Sequence, residues 1–334
     1  MLSKTISSDH VILILAVILA LLIPAALCIG KYPISADQIL TMAAGGDVPK
    51  IVHDVFFVLR LPRVLLGIIA GAGLSLAGYV YQTLFKNPLA SPDIIGIASG
   101  ANAGAAVGII LLGSGSFILS ASSFTGGLIA ALFAVMLAQL TNKRSLASIV
   151  LSGIVISSVA KAVIMILKLF SDPEGELAPL EFWSMGGLSS MTDEKLLTVL
   201  PGVLIGLFVI WLLRYQIEIL SLSDDEARSL GVSVTQIRTI IMIAATLVVS
   251  SIVCVTGLIS FIGLIAPHAA RLITKRNNSR TALISMLIGS ILIVAADCLA
   301  RSFGSEIPIS ILTSLMGAPF LVMIMMKRRS SPFY

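Results

Sequence analysis

The amino-acid sequence predicts an all-α integral membrane protein with ten membrane-spanning helices. Hydrophobic residues make up 57% of the 334 residues and charged residues 12%, and the mean hydropathy is +1.05, outside the range of soluble globular domains. Long runs without Asp, Glu, Lys, Arg or His recur along the chain, and about 20 apolar residues are needed to cross a hydrocarbon core about 30 Å thick. The loops between the runs are short. We therefore expect residues 1–334 to form a single transmembrane domain.

Each predicted helix corresponds to one apolar run, or to part of a run that is too long for one span. The run 94–142 is divided at a turn from Gly113 to Ser116, and the run 239–267 is divided near Gly257. The predicted helices lie at about 11–29, 58–85, 94–112, 117–141, 146–170, 196–214, 235–255, 258–272, 281–301 and 307–326.

The first helix and the three cysteines are expected to be structural. The first apolar run is longer than the ~7–15 residues of a signal peptide core, and Leu27 is too bulky to precede a processed Cys28, so we expect a retained helix at 11–29. Cys28, Cys254 and Cys298 all lie in apolar segments. We therefore expect them to pack, without disulfides or a metal site.

The distribution of basic residues predicts the orientation. Dividing the run 239–267 places the basic residues that follow it on the same side as Arg238, as the excess of Lys and Arg in cytoplasmic loops requires. Both termini are then cytoplasmic, and the chain is a multi-pass protein of the cytoplasmic (inner) membrane. The net charge of +5 becomes an orientation signal, and no nucleic acid is expected as a partner. The cytoplasmic basic residues, 14 of 22, are Lys4, Lys86, Lys143, Arg144, Arg214, Arg228, Arg238, Arg271, Lys275, Arg276, Arg280, Lys327, Arg328 and Arg329.

One polar segment interrupts the apolar pattern between helices six and seven. The stretch "LSLSDDEARSLGVSVTQIR", residues 220–238, contains three consecutive acids. It predicts a short, water-facing helix on the cytoplasmic side that is too short to span. Two interpretations remain open from polarity alone: a contact for a cytosolic partner, or a connector that lies on the membrane surface without one.

Several stretches form a set of motifs that follow one another from residue 60 to residue 320. They are "RLPR" at 60–63, "GAGLSLAGYVYQTLFKNPLASPDIIGIASGA" at 71–101, "FWSMGGLS" at 182–189, "EARSLGV" at 226–232, "GLISFIGLIAPHAAR" at 257–271, "AADCLAR" at 295–301 and "EIPISILTSLMGAPF" at 306–320. Together they resemble the FecCD family, the permease subunits of type II ABC importers for iron chelates, haem and cobalamin. Ser223 and Ser310 depart from the family pattern, which often has Gly at these positions.

The resemblance implies a division of labour among several chains. Two permease chains, identical or different, would surround a central path, with two cytosolic ATPase subunits and an extracytoplasmic substrate-binding protein as partners. This chain has no G-x-x-x-x-G-K-[ST] phosphate loop. We therefore expect no catalytic residues and no cofactor here, with ATP and magnesium bound by the ATPase subunits. An iron-siderophore complex is the favoured cargo, and haem and cobalamin are the alternatives.

The resemblance also assigns roles to individual residues. It places coupling helices that dock on the ATPase in the segment 220–236. Within this segment, Ala227 is small enough for a close approach, Leu230 offers an apolar knob and Gly231 can end a helix with φ > 0. The expected ATPase-coupling residues are Asp224, Asp225, Glu226, Ala227, Arg228, Leu230 and Gly231.

Three arginines lie on the outer side, where basic residues should be rare. Family members use arginines at the positions of Arg60, Arg63 and Arg301 to meet glutamates of the binding protein, and guanidinium suits bidentate pairing with carboxylate. Snorkelling at the membrane interface is the alternative, and Arg63 has the further alternative of holding a helix start. Asp297 and Arg301 are spaced i, i+4 and so are placed to pair on one helix.

Helix five carries two lysines within an apolar sequence. Ser157, Lys161 and Lys168 are spaced i, i+4 and i+11 and so share one helix face. A mid-membrane lysine costs at least about 2.5 kcal/mol when it faces lipid, so we expect Lys161 to face water or a partner. The family lines its path partly with helix five, which favours a basic stripe for anionic ferric chelates. A structural pair with Asp297 remains the alternative.

The remaining signature residues are expected to be structural, namely Asn87, Pro88, Pro267, His268 and Asp297. No second histidine accompanies His268 in its segment, so hydrogen bonding is favoured over metal binding or catalysis. Glycines at every fourth position, Gly67/Gly71 and Gly100/Gly104/Gly108, indicate close helix approach. We expect this approach within the chain, and contact between two permease chains is the alternative.

Two other functional classes make different predictions. A secondary transporter driven by an ion gradient would place paired acidic or polar residues in broken midplane helices. The predicted spans contain a single acidic residue, Asp297. An intramembrane enzyme would need clustered His or acidic residues, or a Ser–His pair, and the sequence shows none.

Overall fold

The computed structural model of the chain describes residues 8–113, 115–140, 146–303 and 307–329. Within these ranges all regular structure is helical, which confirms the predicted all-α class. Of the basic residues used to predict orientation, Lys4, Lys143 and Arg144 lie outside the described residues.

The described chain folds into α-helices joined by short connections. Two π-helical turns, Val55–Arg60 and Pro173–Leu177, and one 3-10 helix, Pro92–Ile95, lie between them. In chain order the α-helices are α1 Ser8–Cys28, α2 Ala36–Ala43, α3 Lys50–Asp54, α4 Leu61–Leu84, α5 Ile97–Ile110, α6 Ser116–Leu140, α7 Leu146–Phe170, α8 Ala178–Ser184, α9 Asp193–Leu212, α10 Arg214–Ile219, α11 Asp224–Ser229, α12 Val234–Thr256, α13 Ile262–Thr274, α14 Ser279–Ser302 and α15 Ile309–Arg329.

Among the described residues, seven helical segments are long and apolar enough to cross a membrane, and three apolar helices are shorter. The shorter ones are Ile97–Ile110, Ile262–Thr274 and Ile309–Met323. A 13-residue helix such as α13 is only about 20 Å long at 1.5 Å per residue, less than the hydrocarbon thickness. The count of ten spans therefore stays a prediction. The long segments are Ser8–Cys28, Lys50–Leu84, Ser116–Leu140, Ala147–Phe170, Asp193–Leu212, Val234–Thr256 and Ser279–Ser302.

Two predicted boundaries differ clearly from the structure. The helix expected at 58–85 is part of a segment that starts at Lys50 and continues through the π-helical turn. Charge-free runs miss this extension because Lys50, His53 and Asp54 interrupt the apolar run without interrupting the helix. The helix expected from residue 258 begins at Ile262, because the backbone after α12 turns sharply first.

The centre of the bundle is a close packing of α4 against α12, α13 and α14. Glycines set the distance between these helices. A Cβ atom built on Gly71 would lie 2.4 Å from the carbonyl oxygen of Gly289 on α14, and one on Gly78 would lie 1.7 Å from the carbonyl oxygen of Gly263 on α13. The backbones are therefore in direct contact, as small residues permit in membrane helices.

A second set of glycines joins α5 to α6 and confirms the predicted packing within the chain. Cβ atoms built on Gly100 and Gly104 would lie 2.6 Å and 2.1 Å from the carbonyl oxygens of Gly126 and Ser122, and one on Gly108 would lie 2.2 Å from Oγ of Ser122. The four-residue spacing thus fills one helix face with close contacts.

Replacing Gly78 with alanine is expected to destabilise the folded chain by about 1–3 kcal/mol, the usual cost of overpacking a tight interface. The new Cβ at position 78 and the carbonyl of Gly263 can move apart only if α4 separates from α13. Gly187→Ala is the matched control, because the nearest atom to a Cβ there is 4.0 Å away. Thermal unfolding in detergent, monitored by fluorescence, should show a lower Tm for the first variant alone.

The turn between α12 and α13 is held by the motif "FWSMGGLS". The amide of Gly187 donates to the carbonyl of Thr256 at 2.7 Å, and Oγ of Ser310 donates to the carbonyl of Leu258. Gly186 has φ +64°, and a Cβ on it would lie 2.2 Å from the Leu258 carbonyl oxygen. Ser310 therefore ties the start of α15 to this turn.

Long-range contacts show which helix ends lie together. Arg280 at the start of α14 pairs with Asp9 at the start of α1 at 3.4 Å, and the hydroxyl of Tyr79 on α4 donates to the carbonyl of Asn278 at 3.2 Å. We call this the lower end of the bundle. The opposite, upper end contains the last residues of α1 and α14 and the start of α4, where Arg301 meets the carbonyl of Ile29.

Candidate functional site

Two short helices, α10 and α11, lie between α9 and α12. Helix α11 falls within the predicted segment 220–236, whereas α10, at Arg214–Ile219, precedes it. Ser223 is the N-cap of α11, with its Oγ accepting from the amide of Glu226 at 3.3 Å, while Oε2 of Glu226 accepts from the amide of Ser223 at 2.9 Å. This capping box and the three acids of the first turn suit the positive N-terminal end of a helix. Gly231, at φ +80°, follows the end of α11. The serine at position 223 thus defines the start of the helix.

The two faces of α11 have different surroundings. Ala227 is fully buried, whereas Leu230 is 61% exposed and Leu222 is 42% exposed. The close approach expected for Ala227 is therefore made within the chain, not to a partner. Asp225 and Arg228 pair with each other at 3.3 Å with mostly exposed side chains. The exposed surface around α11 consists of Leu230, Leu222 and these charges.

Asp224 connects α11 to two other parts of the lower end. Its Oδ1 accepts from Nζ of Lys86, just beyond α4, at 3.1 Å and from Nη2 of Arg238, on α12, at 3.0 Å. Partial burial raises the pKa of Asp224, but the hydrogen bonds and charges of Arg238 and Lys86 outweigh this effect and hold the pKa below its ordinary value. The carboxylate is therefore charged at neutral pH.

Glu218 connects α10 to α14. Its Oε1 accepts from the amide of Ser279 at 2.7 Å and from Oγ of the same residue at 2.6 Å. Ser279 is the first residue of α14, where backbone amides lack partners within the helix and favour a negative charge. Sequence reasoning missed Glu218, and it treated Lys86 and Arg238 only as orientation signals.

At the upper end, Asp297 is the centre of a buried charge cluster. Its Oδ1 accepts a hydrogen bond from Nε of Arg63 at 2.9 Å and lies 2.8 Å from Nη2 of the same residue. Its Oδ2 forms an ion pair with Nε of Arg301 at 3.0 Å. The i, i+4 pair predicted on this helix is confirmed. The alternative pairing of Asp297 with Lys161 is wrong, because Asp297 is 1% exposed and pairs with Arg63 and Arg301, whereas Lys161 is exposed on α7.

Arg60 and Arg301 bind the C-terminal end of α1. Nη1 of Arg60 donates to the carbonyl of Cys28 at 2.9 Å, and Arg301 donates to the carbonyls of Ile29 at 3.1 Å and Ala26 at 3.2 Å. Cations suit this end, where carbonyls lack helical partners and the dipole is negative. Arg60 is 4%, Arg63 7% and Arg301 6% exposed. The structure thus gives all three arginines partners inside the chain, and docking of a binding protein stays a prediction.

The three residues expected on the path are not gathered into one site. Ser157 packs beside Gly96 at the start of α5, Lys161 is exposed on α7, and Lys168 forms an ion pair with Glu181 of α8. They share one side of α7, but each has different surroundings.

The signature residues of the two proline motifs lie in turns and helix contacts of the chain. Oδ1 of Asn87 accepts from the amide of Leu89 at 3.0 Å, which shapes the turn after α4, and Pro88 follows in this turn. Pro267 is buried within α13. The ring of His268 contacts Phe320 of α15 edge-on, with ring centroids 5.8 Å apart.

A cavity of about 300 Å³ lies between α4, α12, the 3-10 helix and the turn before α13. Its walls are mostly apolar, and Asp93 of the 3-10 helix is its acidic residue. Sequence reasoning missed Asp93 because the apolar run starts one residue later. The 3-10 helix packs against α7, where a Cβ on Gly153 would lie 2.0 Å from the carbonyl oxygen of Ile94. Among the described residues, no group of three or more His, Cys, Asp or Glu side chains is arranged to hold a metal ion.

Known proteins resemble this chain over most of its length. The FecCD transport family matches residues 15–327. The Fe(3+)-citrate import permease YfmE of Bacillus subtilis is 37% identical over 324 residues, 94% of each chain. The molybdate import permease MolB of Haemophilus influenzae is 33% identical over 318 residues, also 94% of each chain. The cobalamin import permease BtuC of Halobacterium salinarum is 33% identical over 84% of this chain and 76% of that protein.

Two solved structures share the fold. An inward-facing ABC transporter described as of the metal-chelate type has a TM-score of 0.87 at 31% identity, covering 96% of this chain and 99% of that one. PsaBC of Streptococcus pneumoniae has a TM-score of 0.57 at 19% identity, covering 82% and 94%.

Proposed function

Because this chain belongs to the FecCD transport family of ABC importer permeases, we propose that it moves an iron-siderophore complex across the cytoplasmic membrane by alternating access. In this proposal the path lies between two permease chains, and two cytosolic ATPase subunits supply the energy. Family membership favours this mechanism over an ion-gradient-driven transporter.

The observation that carries the proposal is the exposed surface of α11 at the lower end. An apolar side chain, Leu230, projects from a charged helix, while the same helix is bonded through Asp224 to Lys86 and Arg238. Helix α11 has an exposed apolar side chain for a partner and is bonded to α12 and to the end of α4. It is therefore suited to carry movement from a cytosolic ATPase into the bundle. Cross-linking a cysteine placed at Leu230 to the cognate ATPase subunit tests this contact. Absence of a cross-link in the assembled, active complex would remove the support.

The cargo is proposed from the relatives and from α7. Relatives are named for Fe(3+)-citrate, Fe(3+)-hydroxamate, molybdate and cobalamin, so the family alone does not select one substrate. Exposed Lys161 favours an anionic chelate, and haem or cobalamin remains the alternative. Fluorescence quenching of the cognate binding protein by each candidate is the direct test. Quenching by cobalamin or haem, without quenching by a ferric siderophore, would overturn this choice.

Lys161→Met is expected to slow uptake of an anionic ferric chelate about three- to tenfold, because one charge pair near a surface is worth about 1 kcal/mol. Lys161→Arg keeps the charge and is the control. Initial uptake rates in proteoliposomes measure the effect. Equal rates for the methionine variant and the unmodified protein would show that Lys161 does not attract the cargo.

An extracytoplasmic binding protein is proposed to dock at the upper end. If Arg60 and Arg301 meet its carboxylates, docking must draw them from the carbonyls of α1, and binding should weaken as salt increases. Titrating the binding protein onto the reconstituted permease at low and high salt measures this dependence. Affinity that does not change with salt would argue against arginine-mediated docking.

A further inference from the structure

We propose that Glu218 and Asp224 are positioning residues that carry movement of the α10–α11 pair into three membrane helices. Glu218 acts on α14, and Asp224 acts on α4 and α12. The inference rests on the proposed function, since it needs an ATPase that moves this segment. The bonds of Glu218 and Asp224 to other helices of this chain are separate from the proposed contact of Leu230 with the ATPase.

The attachment at Asp224 joins two helices at a single oxygen atom. Nζ of Lys86 and Nη2 of Arg238 both lie within 3.1 Å of its Oδ1. Such charge-assisted hydrogen bonds are short and directional. The Arg238 side chain is only 7% exposed, so it moves together with α12. A shift of α11 therefore displaces the first turns of α12 and the turn that ends α4 at the same time.

Lys86 places this attachment close to the cavity. It follows the end of α4 with φ +50°, and the chain then passes through the Asn87 turn to the 3-10 helix Pro92–Ile95 that carries Asp93. Only a few residues separate the ion pair from the cavity wall. Movement received by Lys86 can thus reach this wall without passing through the centre of the bundle.

The attachment at Glu218 acts on a helix that reaches the other end. α14 has 24 residues and is about 36 Å long at 1.5 Å per residue. Its first residue, Ser279, binds Glu218 at the lower end, and Arg301 binds the end of α1 at the upper end. One continuous helix therefore connects the coupling segment with the arginine cluster.

Asp9 provides a control at the same end of the bundle, outside the coupling segment. It is a carboxylate like Asp224, and it pairs with Arg280 at 3.4 Å, with both side chains more than half exposed. Neutralising Asp9 removes one negative charge from the lower end without removing a bond of α10 or α11. A difference between the two variants therefore reports the attachment and not the charge.

The test compares Glu218→Gln, Asp224→Asn and Asp9→Asn in complexes reconstituted with the ATPase subunits and the binding protein. We expect the ATPase to co-purify with all three variants. The amount of chelate transported per ATP hydrolysed should fall about tenfold for the first two, within the range by which single residues change coupling, and stay unchanged for Asp9→Asn. Normal transport per ATP in the first two variants, or an equal loss in the third, would overturn the inference.

A second variant keeps the test decisive if Asp224→Asn does not fold. Lys86→Met removes the same ion pair from its half-exposed partner and should lower transport per ATP about threefold. Unchanged coupling in that variant would overturn the transfer of movement from Asp224 to α4. Lack of ATP-dependent uptake by the unmodified complex would instead contradict the proposed function, so the two failures are distinguishable.

Discussion

Asp297→Ala is expected to lower the free energy of unfolding by about 3–5 kcal/mol, the cost of removing one partner from a buried ion pair. The side chains of Arg63 and Arg301 that face this carboxylate are 9% and 5% exposed. Without Asp297, the charges of Arg63 and Arg301 stay buried beside Arg60 and lose the carboxylate that pairs with both of them. The upper ends of α1, α4 and α14 should then separate.

Thermal unfolding of the detergent-solubilised protein measures this loss. Leu299→Ala is the control on the same helix, because Leu299 is 52% exposed and its removal leaves no buried group without a partner. We expect a clear decrease in Tm for the Asp297 variant and little change for the control. Equal Tm values for the two variants would show that the cluster does not hold the upper end together.

Leu230→Asp is expected to reduce uptake at least about 30-fold, corresponding to the 2 kcal/mol or more of an interface hot spot. Leu230 is 61% exposed at the end of α11, so the substitution leaves the core of the chain intact. A new carboxylate would have to lose its hydration to enter an apolar groove of the ATPase. The amount of permease in the membrane should not change.

Co-purification of the ATPase and uptake of chelate measure the two consequences of Leu230→Asp. Ser229→Asp adds the same charge one residue earlier while keeping the leucine, and it should retain most of the activity. Normal uptake by the Leu230 variant, or equal loss in both, would contradict an apolar contact at this position.

Local patterns were sufficient for several elements of this fold. Apolar runs located α1 and α14, and the polarity of residues 224–226 predicted α11. Four-residue glycine spacing predicted a close helix approach within the chain, and the structure shows that α5 and α6 make it. Each depends on residues that are close in sequence. The lengths of the helices were less well predicted. Helix α13 begins at Ile262 and not at residue 258, because hydropathy does not reveal the turn held by Gly186.

The partners of the charged residues could not be predicted from local patterns. Arg301 binds the carbonyl of Ile29, which lies 272 residues earlier, and Asp224 binds Lys86, which lies 138 residues earlier. An arginine near a helix end is equally compatible with an outward docking contact and with an inward helix cap. Only the arrangement of the helices shows that the guanidinium groups of Arg60, Arg63 and Arg301 point into the chain.

The most direct test of the central claim is uptake of a ferric chelate by proteoliposomes that contain this chain with its cognate ATPase and binding protein. We predict uptake that requires ATP on the ATPase side and that persists when ionophores remove all ion gradients. Uptake by the chain alone, driven by an ion gradient and independent of ATP, would contradict the account.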